Sequence, residues 1–145
     1  MGSKSGNEDS SPPSNSGNVV STNEYHSGEN MNYVYLQAKF SEMKNDYSKI
    51  TVTIETRDQG WASVENSNSY FDLRIVNENG NLLGEISRII ENYKQEEFVR
   101  RTYVLKRNGC QHETHMCGNN VLQLVMRSQY PGWENYARFG EIKFE

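Results

Sequence analysis

The sequence predicts an all-β fold, an antiparallel β-sandwich, and three observations predict it. Apolar residues recur at every second position in several short runs, the spacing that sends alternate side chains to one face of a strand. Turn-forming clusters rich in Asn, Gly, Asp and Pro separate those runs. Six or seven such runs in a chain of 145 residues is a strand count suited to a two-layer sheet fold around one core.

Residues 1–30 precede the pattern, and nineteen of them are Ser, Asn, Gly or Pro. Only Met1, Val19, Val20 and Tyr25 are apolar there, so burial offers little to offset the entropy of ordering the chain. This segment is expected to be a disordered tail, with the folded domain spanning 31–145. The tail also holds four acidic residues against one basic residue, which leaves the domain nearly neutral although the whole chain carries a net charge of -4.

Within the domain, Tyr33–Phe40 is a first, weakly patterned strand. Ile50-Thr-Val52-Thr-Ile54 is the clearest, with Ile50, Val52 and Ile54 inward and Thr51 and Thr53 outward. Phe71, Leu73 and Ile75 repeat the device around Asp72 and Arg74, and Leu122, Leu124 and Met126 repeat it around Gln123 and Val125. Phe98–Lys106 and Tyr136–Phe144 are further strands. Leu82–Lys94 is ambiguous, because its apolar residues recur at spacings of three and four, as on a helix. Its β-branched content favours a buried strand or irregular structure. Turns are expected at Asp58-Gln-Gly60, Asn77–Asn81, Asn108-Gly109, Gly118-Asn-Asn120 and Pro131-Gly132.

Composition excludes several classes of function. Mean hydropathy is -0.86, and no apolar run approaches the roughly 20 residues of a membrane span. The acidic pI of about 5.4 argues against nucleic-acid binding. No secretory signal is visible at the N-terminus. A cytoplasmic or nuclear location is expected, with reduced thiols at Cys110 and Cys117.

The segment Cys110-Gln-His112-Glu-Thr-His115-Met-Cys117 contains the ligand types that zinc favours. Four ligands within eight residues would have to wrap the ion from one tight loop, so the segment is read as a polar surface loop. A Cys110–Cys117 disulfide would require an oxidising compartment. Cys117 beside His112 or His115 is the only neighbouring nucleophile and base, without an oxyanion donor or a strained turn to activate it. Asp58, Asp72 and Glu78 have the chemistry to hold calcium at one end of a sandwich but form no acidic cluster in sequence. No phosphate loop or dinucleotide fingerprint is present. The expectation is a non-enzymatic chain without a cofactor or metal.

The tryptophans are more informative. Trp61 follows a strand directly, and Trp133 sits in Arg127-Ser-Gln-Tyr130-Pro-Gly-Trp133-Glu-Asn135. An indole where strands run out either plugs the core or presents a flat apolar face to a ligand. In the second case Trp61, Tyr130 and Trp133, with Asp58, Arg127 and Asn135 supplying polar contacts, form a recognition surface for a sugar or a peptide. Pro131-Gly132 would hold Trp133 on a turn.

The run ITVTIETRDQGW at residues 50–61 and the run Val121–Ile142, which contains RSQYPGWENYARFGEI, resemble the two ends of a β-sandwich module of fungal proteins, some of which also carry F-box or ankyrin segments. The likeness spans about residues 49–145, with its specific matches in Asp58–Trp61 and Arg127–Asn135. Between them Ser67-Asn-Ser-Tyr-Phe71 departs from the family's Tyr- and Trp-rich stretch. The resemblance implies a jelly roll similar to galactose-binding domains and to F-box-associated domains. It also implies a role in recognising a protein or glycoprotein partner, as the substrate-reading part of a ubiquitin ligase within a longer parent chain. A carbohydrate-binding module and a structural interaction domain are the alternatives.

Overall fold

The structure, a computed structural model, describes residues 15–27, 31–60, 68–92, 97–129 and 132–145. Nine strands are present among them: β1 (Asn18–Ser21), β2 (Tyr25–Ser27), β3 (Met31–Lys39), β4 (Lys49–Arg57), β5 (Ser69–Val76), β6 (Leu82–Glu91), β7 (Val99–Lys106), β8 (Val121–Ser128) and β9 (Asn135–Phe144). They form two antiparallel sheets. One has the order β1-β9-β4-β7, with β2 also paired to β9, and the other the order β3-β8-β5-β6.

β1 and β2 pair in succession along β9 and act as one interrupted strand. Counted that way, eight strands run 1-8-3-6 in one sheet and 2-7-4-5 in the other. This is the double Greek-key order of a jelly roll.

The tail boundary expected at residue 30 is therefore corrected, because residues 15–27 supply the first strand of the roll. Apolar side chains were the wrong measure of what orders this segment. Its backbone completes hydrogen bonding along β9, Val19 and Tyr25 pack against the core, and the Tyr25 ring stacks on Tyr33 with centroids 3.6 Å apart. The rest of the expected tail, residues 1–14 and 28–30, lies outside the described residues.

The period-two runs form the core. Ile50, Val52 and Ile54 from β4, Phe71, Leu73 and Ile75 from β5, Leu122, Leu124 and Met126 from β8, and Ile142 and Phe144 from β9 are all buried between the sheets. Each contributes on the order of 1.5 to 3 kcal/mol of hydrophobic stabilisation.

Of the ambiguous segment, Leu82–Glu91 is strand β6, and its register explains the helix-like spacing, while Tyr93 and Lys94 lie outside the described residues. Leu73 pairs with Ile86 and Phe71 with Ile90, so a step of two residues along β5 spans a step of four along β6. The bulge carries Arg88 at a φ of 57°, and its Asp72 acceptor explains how that conformation is held: Asp72 Oδ1 accepts the Arg88 N–H at 2.7 Å. Two inward residues are thereby set four apart, which mimics a helical repeat.

The turn expectations coincide with backbone that suits glycine. Gly60, Gly80, Gly109, Gly118 and Gly132 all have positive φ.

Candidate functional site

Antiparallel pairing sorts the connections into two poles. β4 ends, β5 begins, β6 ends, β7 begins, β8 ends and β9 begins at one pole. Asp58–Gly60 and Gly132–Asn135 both lie there, with Arg127 near the end of β8, so the fold brings the four described site residues towards one pole. The Glu134 N–H donates to Gln59 Oε1 at 2.8 Å, and the Gln129 N–H donates to the Asn68 carbonyl at 2.9 Å. Trp61 and Tyr130 themselves lie outside the described residues.

The other four divide by role. Asp58 is buried, and its Oδ1 accepts the Gly60 N–H at 2.7 Å, which shapes the turn after β4. Asn135 is buried in a polar seam between the sheets. Its amide donates to the carbonyls of Tyr70 and Arg127, and its oxygen accepts from Thr56 at 3.1 Å and Asn92 at 3.4 Å. Asn92 also donates to Ser69 and Thr56, at 3.1 Å each.

Arg127 lies on the outer face of the second sheet, paired with buried Asp72 at 2.6 Å. Trp133 is half-buried, and its carbonyl accepts from the Ser128 hydroxyl at 2.5 Å. Asn135, Asp58 and Arg127 thus have structural partners, and Trp133 is the described indole beside solvent.

At the same pole, the outer face of the first sheet carries a row that sequence reasoning missed. Alternation along β9 sends Asn135 and Ala137 inward and Tyr136 outward. Tyr136 is in register with His26 on β2 and Arg57 on β4. The His26 ring stacks on Tyr136 at 4.4 Å, and the Arg57 guanidinium lies 3.7 Å from the same ring centroid. Phe98 extends the row, with Arg57 at 5.3 Å and Arg138 at 4.2 Å from its centroid.

Carboxylates frame the row. The Tyr136 hydroxyl donates to Glu134, a contact that holds this phenol above its ordinary value, and Glu134 also lies 3.5 Å from His26 Nε2. Glu55 pairs with Arg138 and with Arg100, and its carboxyl is held below the ordinary value first by the Arg138 hydrogen bond. Beside the row lies an open cleft of about 270 Å³ lined by Glu24, Tyr25, His26, Arg57, Phe98, Tyr136 and Ala137. The legible signal was the pairing of strands: three residues from three strands meet only once register is known.

The Cys110–Cys117 segment lies at the opposite pole. Both cysteines are free thiols, Cys110 Sγ accepting the His112 N–H and Cys117 donating to the Thr114 carbonyl. Asp58, Asp72 and Glu78 are dispersed, with Glu78 in the turn after β5 at the far pole. Among the described residues no group of three His, Cys, Asp or Glu side chains could hold a metal ion. No helix among them is long and apolar enough to cross a membrane. Compared with known families and with curated proteins, the chain matches no family model and no curated sequence.

Proposed function

We propose that this chain is a non-enzymatic recognition module that engages a partner protein through the pole bearing Trp133 and the adjoining His26–Tyr136–Arg57 row. The preassembled row beside a cleft carries this reading. Stacked rings and guanidiniums lose little further entropy when a ligand arrives, and Tyr, Trp and Arg are the side chains enriched where binding energy concentrates. The resemblance of Asp58–Trp61 and Arg127–Asn135 to a β-sandwich module of fungal proteins, some of which carry F-box segments, supports extending it to substrate reading for a ubiquitin ligase within a longer parent chain. A protein partner is favoured over a sugar here because arginines already lie over Phe98 and Tyr136, whose faces a pyranose ring would need.

The test is to probe the wild-type protein and the Trp133→Ala and Phe98→Ala variants on peptide and glycan arrays, with thermal unfolding as the control for folding. Peptide signals lost in folded variants are the expected result. Folded variants that keep every signal would reject the site, and glycan signals alone would replace the protein partner with carbohydrate.

A further inference from the structure

Among the guanidiniums of the row, Arg57 is distinguished by its electrostatics. Arg100 and Arg138 both pair with Glu55, whereas Arg57 forms no ion pair among the described residues. Its Nη1 donates to the Asp58 carbonyl at 3.1 Å, and its plane is fixed against Tyr136 and Phe98. Glu134, at one end of the row, is engaged by the Tyr136 hydroxyl and by His26. Glu24, which also lines the cleft, is exposed and makes no ion pair among the described residues.

A planar cation with its orientation already fixed and no ion pair among the described residues suits one group above others, the planar carboxylate, which it can bind through paired N–H donors. We infer that the cleft beside Arg57 receives an Asp or Glu side chain of the partner polypeptide, with Arg57 as the clamp and the exposed ring of His26 as its neighbour. This rests on the recognition role proposed for the pole and specifies its ligand chemistry. The net charge of -4 gives such a partner no long-range steering, so selection is made at contact.

Hippurate, a carboxylate on an amide and one ring, serves as the probe, with neutral hippuramide as control. Binding is followed through the Arg57 Nε–H resonance and the amides of Phe98 and Tyr136. The expected result is a saturable shift with a dissociation constant on the order of 1 to 10 mM, the range for so small a ligand, and about tenfold weaker binding of hippuramide.

Arg57→Gln should lose the difference between the two probes. Arg57→Lys, which keeps the charge but not the fork, should recover only part of it, and a folded Lys variant keeps the test valid if the Gln variant unfolds. Equal binding of both probes, or a folded Arg57→Gln protein that still prefers hippurate, would overturn the clamp. Peptide-array signals that survive Arg57→Gln would also overturn it while leaving recognition by the pole intact. An array on which wild type binds nothing would instead remove the recognition role, whatever hippurate does.

Discussion

The side-chain amide of Asn135, on β9, donates to the carbonyl of Tyr70, on β5, at 2.9 Å and so joins the two sheets where the apolar core ends. Thr56, Ser69 and Asn92 complete the seam, and all are buried. A buried network of this kind is stable only while every member is satisfied, because an orphaned amide or carbonyl keeps its full desolvation cost. Asn135→Ala therefore should cost roughly 2 to 4 kcal/mol. Urea unfolding measures it, and a loss below the size of one ordinary surface change would show the seam to be dispensable.

Deleting residues 1–27 removes β1 and β2 and uncovers the edge of β9. The loss of the packed Val19 and Tyr25 side chains should lower stability by at least about 2 kcal/mol. The bared edge should promote association. Calorimetry and size-exclusion chromatography across a concentration series check both effects, and an unchanged monomer would mean that the first strand adds nothing.

Gly84, on β6, is kept small by His112. A methyl group at Gly84 would stand 2.5 Å from His112 Nδ1, closer than real contacts allow. Gly84→Ala should cost about 1 to 3 kcal/mol, and most of that should return in the His112→Ala background, since the two positions share one space. Additive losses in the double variant would place the strain elsewhere.

The Tyr47 hydroxyl is buried without a hydrogen-bond partner among the described residues, although the Arg107 guanidinium covers its ring at 4.2 Å. Removing an unpartnered hydroxyl removes a penalty, so Tyr47→Phe should fall within about 1 kcal/mol of wild type, on the stabilising side. A clear destabilisation by thermal melting would reveal a partner for this hydroxyl.

Stability should narrow at both ends of the pH scale. Glu55 and Glu145 are lowered from 4.5, chiefly by hydrogen bonds from Arg138 and Thr51 respectively. Their contribution is present above the unfolded value and is lost as pH falls through the folded one. Burial raises Tyr35, Tyr47 and Tyr103 above 10.0, and the Glu134 contact raises Tyr136. That contribution is present below pH 10 and is lost as pH rises through the folded values. Tyrosinate absorbance should therefore show a group of phenols titrating late, merging with alkaline unfolding. Early titration of all nine tyrosines in folded protein would contradict it.

Alternation by itself determined that this chain is a β-sandwich, because the inward residues of β4, β5 and β8 declare their face whatever their partners are. Turn glycines were legible for the same local reason: a positive φ is a property of one residue. Pairing between distant strands belongs to the tertiary structure alone. It drew residues 15–27 into the roll through backbone bonds that carry no side-chain signature, and it spread inward positions of β6 four apart through a bulge. It also brought His26, Tyr136 and Arg57 into one row. Asn135 and Arg127 looked like ligand contacts in sequence because polar side chains near a strand end read alike whether they face solvent or a neighbouring sheet, and only packing tells those apart.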